Sequence, residues 1–374
     1  MLNLFISICK KCKKIFLTSK EKGYIIKYDL NRFNKTLKRV VNMKKATIYD
    51  IARICGCSPA TVSLALNNNS RVSKITKAKV TEVSEKLNYQ ASYFGKSLVT
   101  GKANTIGFFV PDMHNQVFLS MINGVEMQLK GSDYHLLLDV TRNDKQKELD
   151  CINTLLEHKV DGLIISPLYP KELIEHILKN KVDVNRVVFI GVSASAESGI
   201  HFVETDSFTG AYEGVTHMLK KGRRKIAFLA PIASKEQGIR RLCGYKKALE
   251  DFGIPFDEEL IFKCDQKFEN IYNLTKSEIS RHNPDGIFCL YDMSAIPAMR
   301  AATDLGIKIP YDLSVVGYDN IEIGQYIDHS LTTIETYQIR QGGIAAQMLI
   351  DLLAGKKIEK KNIVEPSLVV RESS

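Results

Sequence analysis

Thr47-Ile48-Tyr49-Asp50-Ile51-Ala52 and, after a three-residue gap, Gly56-Cys57-Ser58-Pro59-Ala60-Thr61-Val62-Ser63 decide how this 374-residue chain is read. Thr47 and Asp50 stand three apart, so a hydroxyl can take an orphan amide while an acid reaches back to the cap. Ile48, Ile51, Ala52 and Cys55 then share one helical face. Gly56 breaks that helix. Ser58 can cap the next, and Pro59 sits where the first helical residue lacks a needed N–H anyway. Val62, Ala65 and Leu66 form the inner face of this second helix. Ser73 caps a third, in which Val80, Val83 and Leu87 make a buried stripe. Two short helices joined at a glycine turn predict a helix-turn-helix, with the outer side chains of Pro59–Leu66 facing a major groove. Thr61, Ser63 and Asn67 are short polar groups suited to phosphate oxygens, which orient a protein on DNA without reading sequence.

Charge supports that reading. The net charge is +10, yet residues 1–42 carry 11 Lys/Arg against 2 Asp/Glu and residues 43–98 carry 9 against 3. The rest of the chain, 99–374, is mildly acidic, with 32 against 37. A basic end on an acidic body fits a nucleic-acid-binding head. Residues 1–42 show no period and read as a basic extension, either a disordered arm or a stretch upstream of a true start at Met43.

From Ala103 the rhythm becomes strand–helix alternation. Strands are expected at 105–110, 136–140, 162–166, 187–191, 226–230, 286–290 and 313–317, with helices at 210–221 and 238–252 among the crossovers. Continuous apolar runs of this kind suit strands buried on both faces of parallel sheets. Seven or more strands exceed one small sheet, so two doubly wound lobes are expected. Ligands of such sheets bind beyond the carboxyl ends of the strands. That rule picks out Pro111–Asn115, Ser166–Tyr169, Tyr291-Asp292 and Tyr318-Asp319-Asn320.

Other classes are excluded. No run of about 18 apolar residues exists to span a membrane. The opening Met1–Cys9 run is short and its charge follows it, unlike a signal peptide. Cys9-Lys-Lys-Cys12 lacks the second pair that a zinc site needs, and the scattered thiols fit a reducing cytoplasm. There is no G-x-G-x-x-G after a strand, no G-x-x-x-x-G-K-[ST] and no G-x-S-x-G elbow, so neither a cofactor nor an enzymatic role is expected. A transporter's solute-binding protein would need an export signal and no DNA-binding head.

The resemblance to a known family is then specific. The motifs quoted above, with Leu66-Asn67, Val72-Ser73, Leu87-Asn88-Tyr89, Val160-Asp161-Gly162-Leu163-Ile164, Gly222-Arg223-Arg224-Lys225-Ile226-Ala227, Leu313–Asn320 and Leu331-Thr332-Thr333-Ile334, resemble the LacI/GalR (lactose/galactose repressor) family over residues 43–374. The resemblance implies a helix-turn-helix DNA-binding domain at 43–90 and a linker helix at 91–102. A two-lobed, periplasmic-binding-protein-like (type I) core of doubly wound parallel sheets would fill 103–374. The expected lobes are 103–184 with 337–361, and 185–336 with 362–374. It further implies a cytoplasmic repressor that binds a near-palindromic operator as a homodimer and answers to a small, sugar-like effector.

The family's base-reading positions fall on Pro59, Ala60 and Leu64, all apolar here, so readout would lean on thymine methyls and DNA shape. Thr47, Tyr49, Ser58, Tyr89 and Ser92 complete the DNA-facing set. Leu98 would wedge into the minor groove. Gly95 stands where the family usually has alanine, which lowers linker helicity. Effector contacts are expected at Asn115, Val117, Phe118, Ser166, Arg241, Tyr291, Asp292 and Asp319. Asp292 also opens a helix, and a capping role stays open for it.

Overall fold

A computed structural model describes residues 46–66, 68–87, 89, 102–157, 159–192, 195–231, 235–265 and 267–374, together with the backbone pairing of 4–9, 14–19 and 25–29. The chain divides into two compact units, Met1–Lys96 and Ser97–Ser374.

In the first unit, β1 (Leu4–Cys9), β2 (Lys14–Ser19) and β3 (Ile25–Asp29) pair as an antiparallel sheet. These three strands lie within the extension read as aperiodic. Three helices follow: α1 (Ile48–Cys55), α2 (Pro59–Leu66) and α3 (Lys74–Lys86). Their ends are set by local chemistry. The Thr47 amide donates to Asp50 Oδ2 at 2.9 Å, and the Asp50 amide donates back to Thr47 Oγ1 at 3.4 Å. Gly56 closes α1 at φ 69°, a left-handed conformation that favours glycine. Ser58 Oγ accepts from the Thr61 amide at 3.1 Å, and Ser73 Oγ from Thr76 at 3.2 Å. Ile51, Val62 and Val80 are wholly buried and meet at the centre. Lys79 Nζ donates to Cys55 O at 3.1 Å, fastening α3 to the end of α1.

The second unit starts with β4 (Thr105–Val110), α4 (Gln116–Leu129), β5 (His135–Val140), α5 (Lys145–Leu156), β6 (Gly162–Ile165), α6 (Pro170–Lys179), β7 (Val187–Ile190) and β8 (His201–Thr205). It continues with α7 (Ser207–Lys220), β9 (Ile226–Pro231), α8 (Lys235–Asp251), β10 (Ile261–Cys264), α9 (Phe268–His282), β11 (Gly286–Cys289), α10 (Asp292–Asp304), β12 (Ser314–Val316) and β13 (Thr333–Glu335). It ends with α11 (Gln338–Leu353), β14 (Lys361–Val364) and β15 (Ser367–Val369).

A six-stranded parallel sheet, ordered β14-β8-β7-β6-β4-β5, forms the first lobe. A four-stranded parallel sheet, β10-β9-β11-β12, forms the second, and β13 pairs antiparallel with β15. The inner strands of both large sheets are buried on two faces, whereas the edge strand β5 is largely exposed. Ile106, Phe108 and Val110 of β4 join the core against α4 and α11, while Phe109 points to the opposite core with Ile152 and Leu173.

The lobe boundary differs from the sequence expectation. The expected split after 184 assigns β7 and β8 to the second lobe, but β7 pairs with β6, with Leu163 opposite Val187, and β8 pairs with β7. β14 joins the same sheet beside β8. An apolar run such as Val187–Ile190 suits either sheet equally, so its sequence cannot choose between them. The chain therefore crosses between lobes at 205–207, 335–338 and 364–367.

Two glycines set the main helix contact of the first lobe. A Cβ on Gly124 of α4 would lie 1.9 Å from Ile339 O, and one on Gly342 of α11 would lie 2.1 Å from Met121 O. The two backbones touch because neither residue has a side chain.

Candidate functional site

On the head, the predicted DNA-facing residues divide by exposure. Thr47, Tyr49, Ser58, Ala60 and Leu64 are exposed, and Pro59, Thr61 and Ser63 are half-buried. Tyr49 is 71% exposed and Leu64 36%, so apolar surface faces solvent on this unit. Tyr89 is half-buried against the head core, which gives it a packing role in this unit. Asn67, Ser92, Gly95 and Leu98 lie outside the described residues.

In the second unit, the loops leaving β4, β6, β11 and β12 converge with two of the three lobe crossings, at 205–207 and 335–338, around a cavity of about 350 Å³. It is lined by seven of the eight expected effector residues: Asn115, Val117, Phe118, Ser166, Arg241, Tyr291 and Asp319. Asn115 also caps α4, its Oδ1 accepting from the Val117 amide at 3.0 Å, so the helix start presents Val117 and Phe118 to the cavity.

Asp292 is the exception. It is fully buried and does not line the cavity. Thr333 Oγ1 donates to its Oδ1 at 2.6 Å and the Ile321 amide to its Oδ2 at 2.9 Å. A Cβ on Gly317 would sit 2.0 Å from its Oδ1. Asp292 is thus the brace that holds the loop after β12 against the start of α10, which corrects its assignment to the effector set. Burial pushes its carboxyl well above the usual carboxylate range, with Asp319 nearby adding to the rise.

Arg241 and Asp319 form the charged end of the cavity. Arg241 Nη2 lies 3.7 Å from Asp319 Oδ1, its guanidinium stacks 3.6 Å above the Tyr318 ring, and its Nη1 donates to Leu290 O. Such a stacked cation is fixed in place. Burial pushes Asp319 up to about 7; the Arg241 guanidinium pulls it down, and Glu335 pushes it further up. Desolvation therefore wins over the ion pair. Asp319 has φ 107°, a conformation that costs a non-glycine residue on the order of 1–3 kcal/mol. Its neighbours over-determine it: its amide donates to Ile334 O at 2.8 Å and Gln338 Nε2 donates to its carbonyl. Arg371 Nη2 donates to the adjacent Asn320 Oδ1 at 2.6 Å.

Sequence reasoning missed the residues contributed by the crossings. Thr205, Thr336 and Gln341 line the cavity and are almost wholly buried. None ends a strand of the apolar type that was recognised, so the strand-end rule passed over them. Phe268 and Met293 add apolar lining from α9 and α10. Among the described residues no helix is long and apolar enough to cross a membrane.

Comparison with known proteins agrees with this arrangement. The sequence profile of bacterial regulatory proteins, lacI family, matches residues 47–92, and that of the periplasmic binding protein-like domain matches 215–374. The chain is 32% identical over 333 residues to the HTH-type transcriptional repressor PurR of Vibrio atlanticus (strain LGP32), covering 88% of this chain and 98% of that one. It is 31% identical to the PurR of Yersinia pestis bv. Antiqua, covering 88% and 96%. Its fold superposes on the lac repressor dimer bound to operator and the anti-inducer ONPF with a TM-score of 0.77 at 25% identity, covering 88% of this chain and 99% of that one. A LacI family transcriptional regulator from Enterococcus faecium with bound ribose gives 0.64 at 27% identity, covering 72% and 98%. Relatives of one kind thus account for the head and the two-lobed core together, and the chain belongs to the lacI family of bacterial regulatory proteins.

Proposed function

We propose that this regulator represses transcription by binding a near-palindromic operator as a dimer, and that a small sugar-like effector in the inter-lobe cavity controls the binding. One observation carries the reading. A single chain holds a helix-turn-helix head with an exposed second helix and a cavity of about 350 Å³ whose buried Arg241 and Asp319 face a space large enough for a small polar ligand. The relatives support it: the lac repressor dimer is bound to operator, and the Enterococcus faecium regulator is bound to ribose.

Two heads would place their α2 helices about one DNA turn apart. Ala60 and Leu64 on that helix offer methyl groups and no bidentate donors, so they would contact thymine methyls and leave the rest of the specificity to DNA shape. In the cavity, Arg241 would hold ligand oxygens and Asp319 would accept from hydroxyls, while Phe118 and Phe268 supply apolar walls. A ligand that prefers one arrangement of the lobes shifts DNA affinity by its differential affinity, and DNA shifts ligand affinity by the same factor.

The test is selection of bound duplexes from a random pool, with and without a panel of pentoses, hexoses and disaccharides. The expected result is enrichment of a two-fold symmetric site, retention that weakens steeply with salt, and a change in retention with at least one sugar. Enrichment of no sequence at low ionic strength would falsify the reading.

A further inference from the structure

Gln341 opens the second turn of α11 and is 2% exposed. Its Nε2 donates to Thr336 O at 2.7 Å and to Thr205 Oγ1 at 2.9 Å. Thr205 Oγ1 in turn donates to Thr336 O at 2.9 Å. A carbonyl oxygen can only accept, so these partners fix which end of the amide is nitrogen. Both N–H groups are thereby committed to two of the three lobe crossings. Oε1 is left buried with no hydrogen-bond partner, on a residue that lines the cavity. Arg241 shows the complementary state: its Nε is buried without a partner and the residue lines the same space. Buried polar atoms are nearly always paired, and one left over at a cavity wall marks where an occupant supplies the missing group.

We propose that Gln341 selects the effector, its Oε1 accepting a hydrogen bond from a hydroxyl of a neutral polyol while Arg241 Nε donates to another ligand oxygen. The proposal rests on the effector reading above and adds to it the kind of group that must lie at the lobe crossings. A hydroxyl can both donate and accept, so one polyhydroxylated ligand satisfies both atoms. A carboxylate or phosphate turned toward Gln341 cannot, because it would set an anionic oxygen against an acceptor.

Gln341→Met tests this, since it keeps the length of the side chain and removes the acceptor. Its loss leaves Thr336 O still paired with Thr205 Oγ1. The full chain and the variant are compared by thermal melting and by calorimetric titration with D-ribose, D-glucose, D-galactose and cellobiose. The single-deoxy analogues of each sugar that binds are then titrated as well. The expected result is a ligand-free melting temperature lowered by the loss of the two amide hydrogen bonds, together with sugar affinity lower by about tenfold. One deoxy position should weaken binding to wild type and make no difference to the variant. A variant that melts lower, binds sugar as wild type does and discriminates among deoxy positions unchanged would show Gln341 to be only a strut; the effector reading would survive. Failure of every sugar to bind wild type would remove the effector reading, and this proposal with it.

Discussion

The head and the body carry function in opposite places. On the head, the caps and the small core of Ile51, Val62 and Val80 fix the shape, while Ala60 and Leu64, the residues proposed to face DNA, lie exposed outside that core. In the body, the residues around the cavity are also parts of the frame. Asn115 caps α4, Gln341 ties two crossings, and Asp319 sits in a strained loop held by Ile334, Gln338 and Arg371. Surface exposure and stability are therefore separable at Ala60 and Leu64 of the head, and the two are entangled around the cavity of the body.

The largest expected effect comes from the frame itself. Gly342→Ala sets a methyl 2.1 Å from Met121 O and should cost about 3 kcal/mol or more by denaturant unfolding. Gly343→Ala is the control, because its Cβ would meet its nearest neighbour at 3.7 Å. Relief of the helix penalty should leave it neutral or more stable by up to about 1 kcal/mol. Equal losses in both would show that the backbones do not touch as described.

Asp319→Asn probes the entanglement through pH. The folded carboxyl titrates at about 7, whereas an unfolded Asp titrates at about 3.9. The folded chain thus holds the extra proton between those values, so this group's contribution is full below about 3.9 and is lost as pH rises through about 7. The variant should gain stability relative to wild type across that window, with a constant difference above it. Wild-type sugar affinity should rise with pH up to about 7, by no more than about tenfold per unit, because ligand hydroxyls favour the ionised acceptor; the variant's should stay flat. Arg241, Glu335 and Asp292 surround the group and are present in both proteins.

Smaller effects belong to the head. Leu64→Arg should leave the melting temperature unchanged and shift base preference at one position by about 1–3 kcal/mol, read by repeating the duplex selection. An identical selected site would mean that Leu64 does not face the bases. Gly95→Ala should tighten operator binding by up to about 1 kcal/mol through linker helicity; weaker binding in a titration would contradict that.

The same contrast explains what the sequence made legible. Thr47, Asp50, Gly56, Ser58 and Ser73 act within three or four residues of themselves, so all three head helices could be read directly. Val187–Ile190 was recognised as a strand, but its sheet was not, because a two-sided apolar strand names no neighbour. His201–Thr205 and Lys361–Val364 mix polar with apolar residues and escaped notice. At the cavity, the strand-end rule and the resemblance found Asn115, Arg241 and Asp319. They missed Thr205, Thr336 and Gln341, whose proximity arises only when segments 136 residues apart in the chain meet. Asp292 was misassigned because an acid beside Tyr291 looks the same whether it faces a ligand or a buried threonine.

The main-chain contact at Gly124 and Gly342 has a mechanical corollary. Helices separated by side chains can slide as rotamers hop; these two, seated carbonyl against Cα, have no such bearing between them. Further along, Gln128 Nε2 donates to Gln347 Oε1 at 2.6 Å, so the spacing that Gly124 and Gly342 set is carried past the crossing.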